Sequence, residues 1–283
     1  MGRTTWRTQV AVVTGAGRGI GRAVVERLAD RGVQVYAVDL DAEAAGRTAE
    51  SVGAGCRARG VDVTEPQALH RLAAEVVEEC GRLDLLVNNA GVLYDGRLTD
   101  QDPALLRRMV EVNVLGVVNG MQAVLPVMVR QGGGHVITVA SATAAKPLPG
   151  LAVYSGTKAA VTAMGRALRR ELRGTGVRIS AVLPYLTDTP AGHGLRAQPG
   201  FRALAPEAVA ARVERLLERP RTTVYVPGRL RVLLPLLGLL PERLADVLDA
   251  LLRSDEIALD ARPEDRAAYV AELRRSRPSP PGA

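Results

Sequence analysis

Seven short, mostly apolar runs alternate with stretches of helical periodicity, and this alternation constrains the chain more than any other feature. The runs lie at residues 10–14, 33–38, 56–61, 83–87, 135–140, 177–183 and 223–226, and the helical stretches at 19–30, 42–51, 66–80, 103–130, 152–173 and 206–218. Several runs are apolar throughout rather than at every second position, as parallel strands buried on both faces are. Strand and helix in regular alternation require crossover connections, which are right-handed and place helices on both faces of one sheet. The expected fold is therefore α/β, a doubly wound parallel sheet forming a single domain over residues 8–228. After residue 226 the pattern changes to a Leu-rich stretch and two further helical segments, 241–253 and 263–275. Residues 229–283 are expected to form a C-terminal helical extension packed on the domain, with a Pro-rich end, 277–283, that frays.

Composition narrows the function classes. With 47% hydrophobic and 24% charged residues, 283 positions suffice for a sizeable core and an ordinary surface. Cys56 and Cys80 are too few for a disulfide framework, and no metal-ligand spacing occurs, so no metal is expected. The run from Val232 to Leu240 contains Pro235 and Gly238 and falls well short of the ~20 apolar residues of a membrane span. With no signal-like opening, a reducing, cytoplasmic setting is expected. The net charge of +7 does not read as a nucleic-acid footprint, because the basic residues are scattered and one Phe and one Trp offer few stacking surfaces. It is compatible with anionic cofactors and acidic membrane surfaces. Of the 37 basic residues only Lys146 and Lys158 are lysine. In a chain that uses Arg wherever charge suffices, a retained Lys marks a place for a compact ammonium of tunable pKa.

The first apolar run leads into Thr14-Gly15-Ala16-Gly17-Arg18-Gly19-Ile20-Gly21, and a helix follows. Glycines there let the backbone turn tightly beside a pyrophosphate, and the helix N-terminus supplies N–H donors and a positive dipole. Asp39 ends the second run, 24 residues after Gly15, where an acid accepts hydrogen bonds from the adenosine ribose and repels a 2′-phosphate. This favours NAD(H); Arg18, a base in the glycine turn, pulls toward NADP(H), which remains possible. Asp62-Val63 and Asn88-Asn89-Ala90-Gly91 follow the third and fourth runs, at the strand ends where ligands sit in open parallel sheets.

Tyr154 and Lys158, four apart on one helical stretch, share a face. With two lysines and six tyrosines in the chain, such a pair arises by accident in roughly 4% of cases. Ser141, 13 residues before Tyr154 at the end of a run, makes accident rarer still. A phenol with a pKa near 10 is a poor base at neutral pH, and a neighbouring ammonium is expected to lower it. Tyr154 would then serve as general acid in reduction and general base in oxidation, with Ser141 orienting the substrate oxygen.

Thr14/Gly15/Gly19/Gly21, Asn88-Asn89-Ala90-Gly91, Asn113, Ser141 and Tyr154/Lys158, in that order, resemble the pattern of the short-chain dehydrogenase/reductase superfamily, in its shorter single-domain branch, over about residues 8–228. The resemblance implies a Rossmann fold and an NAD(P)-dependent oxidoreductase that interconverts an alcohol and a ketone or aldehyde. It implies that Asn113 holds a water linking Lys158 to solvent and that Lys158 also bonds the nicotinamide ribose. It implies cofactor contacts from Gly15, Arg18, Gly19, Ile20, Gly21, Asp39, Asp62, Val63, Asn89, Ala90, Gly91, Tyr154, Lys158, Pro184, Thr187 and Thr189. It implies a homodimer or homotetramer packed through the helices around Asn113 and Tyr154. One segment departs from the family. After Pro184 the family has Gly, a hydrophobic residue and Thr, whereas this chain has Tyr185, Leu186, Thr187, Asp188 and Thr189.

Two other readings use the same fold: a dinucleotide-binding regulator without activity, which would be expected to lose Tyr154 or Lys158, and a nucleotide-sugar epimerase or dehydratase, which the short sugar-binding portion disfavours. His70 and His135 read as structural, and His193 as a loop residue within reach of substrate. The segment 230–240 is too apolar to lie freely in water; it packs on the core, a second subunit or the substrate cleft, or grazes a membrane as a peripheral contact. Ala142, Ala144, Ala145, Pro147, Leu148 and Leu151, with Tyr185 and Leu186, make the expected substrate an apolar, uncharged alcohol or ketone of steroid, terpenoid, polyketide or long-chain type.

Overall fold

In a computed structural model of the chain, residues 9–275 are described, apart from 199, 238, 255, 260 and 262. The expected domain start at 8 and frayed end at 277–283 lie outside the described residues. Seven strands form one parallel sheet: β1 (Val10–Thr14), β2 (Gln34–Asp39), β3 (Cys56–Gly60), β4 (Leu85–Asn88), β5 (Gly134–Val139), β6 (Val177–Pro184) and β7 (Thr223–Val226). Their order, β3-β2-β1-β4-β5-β6-β7, runs from β1 out to one edge, then returns to β4 and runs out to the other. Central β1, β4 and β5 are buried at every position, which is why they read as continuous apolar runs. Edge strand β3 is half-exposed, and its Arg57 and Arg59 pair with Glu79 and Glu75 of the helix beside it.

Helices α1 (Gly19–Ala29), α2 (Ala42–Val52) and α7 (Pro206–Glu218) cover one face. There Val24, Val25 and Leu28 pack with Val209, Val213 and Leu216 over Ala11 and Val13. The other face carries α3 (Pro66–Cys80), α4 (Pro103–Val110), α5 (Gly116–Arg130) and α6 (Ala152–Glu171). Leu69, Leu72, Met121, Val124 and Val161 pack there on Val12, Leu86 and Val136. The expected single helix over 103–130 is continuous but irregular: one π-helical turn, Glu111–Leu115, joins α4 to α5. That stretch is long and apolar enough to cross a membrane, yet 56% of its most apolar window is buried in the fold.

Beyond β7 come α8 (Leu230–Leu237), α9 (Glu242–Leu251), α10 (Glu256–Leu259) and α11 (Pro263–Arg275). The sequence pattern resolved neither α8 nor α10. A run apolar at nearly every position has no period to read, and α10 is a single turn. The connections leaving β1 and β4 diverge to opposite faces, so a crevice opens above their carboxyl ends.

Candidate active site

The turn after β1 is shaped by close approach. Gly15 has φ +64°, and a Cβ there would stand 2.8 Å from the Ala90 Cα; one on Gly21 would stand 2.0 Å from the Gly15 carbonyl oxygen. Hydrogen bonds hold the loop after β4 against this turn. Thr14 Oγ1 accepts from the Asn89 and Ala90 N–H groups at 3.1 Å, and Asn89 Nδ2 donates to the carbonyls of Thr14 and Gly15 at 2.9 and 3.0 Å. The first turn of α1 has no side-chain cap, so its N–H groups remain for an anion. An uncapped helix N-terminus beside a cradle that a Cβ would fill fits a dinucleotide pyrophosphate.

Asp39 lies at the far end of this crevice. Its Oδ2 accepts from the Gly17 N–H at 2.8 Å and its Oδ1 from the Asp41 N–H at 3.1 Å, so the carboxylate is held at the cleft wall. The second glycine of the turn, Gly17, thus has a structural use that the spacing of Gly15, Gly19 and Gly21 did not show. Arg18 lies across the same mouth, paired with Glu272 of α11. Asp62 accepts from Thr64 and from buried Arg108; burial raises its pKa, but these bonds outweigh that and hold it below the usual carboxylate range. Ile20, Val63, Ala90 and Gly91 also line the cleft.

The polar group deeper in the cleft comes from β5 and α6. Ser141, just past β5, caps a short turn and accepts from the Thr143 N–H at 3.2 Å. Tyr154 hydrogen-bonds Ser141. Burial pushes the Tyr154 phenol up to about 12; the Ser141 bond opposes this shift, and nearby Tyr269 adds to it. Lys158 is buried, with Nζ 5.7 Å from the Tyr154 ring centroid and 3.2 Å from the Val139 carbonyl oxygen it donates to. Burial pushes its ammonium down to about 8. The expected lowering of the Tyr154 pKa by Lys158 is therefore corrected: desolvation of both groups dominates. Asn113 sits in the π-turn, fully buried. Its Oδ1 accepts from the Val92 N–H at 2.8 Å, and its Nδ2 donates to the Val92 carbonyl at 2.8 Å and Thr157 Oγ1 at 3.2 Å. Its side chain thus fastens the loop after β4 to α6.

Pro184, Thr187 and Thr189 line the cleft where β6 ends. Thr187 donates to the Tyr185 carbonyl at 3.0 Å, and the Tyr185 hydroxyl accepts from the Gln198 N–H at 2.8 Å. Tyr185, in the family's Gly position, turns its ring onto Phe201 at 4.9 Å between centroids and so helps wall the cleft. The remaining wall comes from the C-terminal extension: Leu230, Leu233, Leu234, Leu237, Ile257 and Tyr269 line the same cavity of about 640 Å³. Tyr269 Oη accepts from the Leu93 N–H at 3.0 Å, and buried Arg266 pairs with Asp95 at 2.6 Å. Lys146, the other retained lysine, pairs with Asp249 at 2.5 Å and ties the extension to the segment after Ser141. His135 is buried with Nε2 2.8 Å from Ser180 Oγ, a structural residue as expected. His193 does not line the cleft; its Nδ1 lies 3.3 Å from the Asp265 carbonyl, against α11. Arg108, Arg266, Tyr269 and Glu272 were not anticipated, since each reaches the site from far along the chain.

Comparison with known proteins places this geometry. A family model described as short chain dehydrogenase matches residues 9–200. The chain is 35% identical over 235 residues to 1-deoxy-11-beta-hydroxypentalenate dehydrogenase of Streptomyces exfoliatus, covering 80% of this chain and 86% of that one. It is 33% identical over 250 residues to estradiol 17-beta-dehydrogenase 11 of Rattus norvegicus, covering 85% and 82%. A Burkholderia phymatum short chain dehydrogenase/reductase solved in complex with NAD superposes with a TM-score of 0.75 at 26% identity, covering 83% of this chain and 94% of that one.

Proposed function

The chain belongs to the short-chain dehydrogenase/reductase superfamily and is an NAD(P)-dependent oxidoreductase; from that premise we propose that it interconverts a lipophilic alcohol and its ketone, with Tyr154 moving the proton. The observation that carries this reading is the pairing of Tyr154 with Ser141 and Lys158 in a cleft that Leu148, Leu233, Leu237, Tyr185 and Phe201 also line. The cradle of Gly15, Gly19, Ile20 and Gly21, with Asp39, would hold the dinucleotide, and Asp39 favours NAD(H). The bound nicotinamide supplies or accepts the hydride. In reduction, Tyr154 Oη donates its proton to the substrate oxygen while Ser141 Oγ hydrogen-bonds the same oxygen and fixes its approach. A phenol held near 12 keeps its proton at neutral pH and so starts in the form that reduction needs. In oxidation, Lys158 stabilises the phenolate as it forms. Asn113 positions Lys158 and the loop through Val92.

The relatives named for a hydroxypentalenate and for estradiol support a steroid- or terpenoid-like substrate. We also assign a cytoplasmic setting and assembly as a homodimer or homotetramer through α5 and its neighbours, where Val110, Leu115 and Val129 are exposed. Steady-state turnover of NADH with cyclic apolar ketones tests the reading. Tyr154→Phe is expected to lower kcat by about 10²–10⁴ while the NADH Kd changes less than about twofold; wild-type kcat in that variant overturns it.

A further inference from the structure

Helix α8 presents two apolar faces. Leu230, Leu234 and Leu237 turn inward and line the cleft. Val232 and Leu236 turn outward, 64% and 56% exposed, and the turn beyond them leaves Leu239 80% exposed. Helix α9 exposes further apolar side chains, Leu244, Val247 and Leu251, with Arg243 and Asp246 beside them in the sequence.

Directly next to this face is a concentration of positive charge. Arg166, Arg169 and Arg170 at the end of α6, Arg221 before β7, and Arg231 on α8 itself surround one shallow depression with Thr222 and Thr223. All five arginines are exposed, and among the described residues none of them makes an ion pair. Elsewhere in the fold neighbouring guanidinium groups share a carboxylate, as Arg27 and Arg31 do with Glu214. An uncompensated cluster keeps its charge for an external anion. An isolated phosphate would not use the leucines beside it. A second copy docked by twofold symmetry on this face would bring the two arginine clusters together.

We propose that the outward face of α8 and the five-arginine depression together dock on an anionic lipid bilayer, setting the α8 side of the apolar cleft against the membrane. Leucines enter the headgroup boundary while the arginines meet lipid phosphates, as in interfacial amphipathic helices. The docking stands on these residues alone; its use in delivering substrate from the bilayer rests on the lipophilic-substrate reading.

Flotation of the full chain with vesicles tests the docking separately from turnover. Vesicles of phosphatidylcholine with phosphatidylglycerol are expected to carry the protein, phosphatidylcholine alone is not, and added salt is expected to release it. Arg169→Glu/Arg170→Glu and, separately, Val232→Ser/Leu236→Ser are each expected to weaken binding by about tenfold or more with the melting temperature retained. Because the arginine variant leaves α8 intact, a misfolded α8 variant does not remove the test. Wild-type protein left unbound by anionic vesicles at low salt overturns the proposal, as does binding unaffected by the arginine reversal. Binding of inorganic phosphate without vesicle binding identifies a free-anion site instead. An oligomer that dissociates on Val232→Ser/Leu236→Ser, again without vesicle binding, identifies a second copy as the occupant.

Discussion

Arg18 and Glu272, 254 positions apart, form a two-pronged ion pair, with Arg18 Nη1 and Nη2 2.9 and 2.6 Å from the two carboxylate oxygens. The pair spans the mouth of the cofactor crevice and joins the glycine turn to α11. Arg18 is the base that pulls toward NADP(H), and its charge is taken up by Glu272 and, at longer range, by Asp39 in the same region. Both partners are about half-exposed, so the pair contributes under about 1 kcal/mol to stability. Its weight falls on cofactor choice. Glu272→Gln is expected to tighten NADP(H) binding by up to about fivefold, with NAD(H) unchanged, by fluorescence titration of the protein. An unaltered NADP(H) Kd would show that Arg18 does not reach the 2′ position.

Lys158 trades stability for chemistry. Its pKa is about 8 in the fold against the ordinary 10.5, because burial disfavours the ammonium. Between those values the unfolded chain binds a proton that the folded chain does not, so this group makes stability rise with pH from about 8 to 10.5 and holds it low below 8. Lys158→Met is expected to raise stability at neutral pH by roughly 1–3 kcal/mol and to remove most of that slope, while kcat falls steeply. Urea denaturation at neutral and alkaline pH measures the first effect and turnover the second. A less stable Lys158→Met protein would mean that the bond to Val139 outweighs the desolvation.

The residues that chain-local physics governs were legible before the structure. Gly15 and Gly21 stand out because a turn between strand and helix has few solutions, and Tyr154 with Lys158 because helical spacing puts them on one face. Strand runs were readable because both faces of the central sheet are buried. What escaped depends on distant partners. Nothing near Arg266 announces Asp95, 171 positions away, nor does Tyr269 announce the Leu93 amide, 176 away. The direction of the Tyr154 shift escaped for the same reason: neighbouring charge can be read from spacing, but desolvation depends on the walls that the C-terminal helices supply.

His135 makes the fold less stable in acid. It is buried between β4 and β6 on β5, with Nε2 2.8 Å from Ser180 Oγ. Burial, with Arg178 adding to it, lowers its pKa to about 3. As pH falls from the ordinary 6.5 toward 3 the unfolded chain takes up a proton the folded chain refuses, so stability declines across that window. His135→Gln keeps a donor for Ser180 and removes the titration. The midpoint of urea unfolding in this variant is expected to depend less on pH between about 6 and 4 than that of the wild type. Identical slopes would mean that the carboxylates alone drive acid unfolding.

Arg266 holds together three segments that the fold otherwise leaves separate. Its guanidinium pairs with Asp95 in the loop after β4, at 2.6 Å, and donates to the carbonyls of Ala191 and His193 after β6, at 2.7 and 2.9 Å. The pair is almost wholly buried, with 4% and 9% of the two side chains exposed. Arg266→Ala strands Asp95 and two carbonyls away from water, a change that costs about 3–5 kcal/mol when a buried pair is broken. Because Arg266 belongs to α11, the loss is expected first as detachment of the extension rather than global unfolding. Amide exchange in 263–275 should quicken, and KM for a large apolar ketone should rise more than KM for a small one, since only the large one uses the wall around Tyr269. Arg266→Lys keeps the charge but not the fork, and should fall between the two. Slow exchange in 263–275 and an unchanged KM for the large ketone in Arg266→Ala would show that apolar packing alone seats the helix.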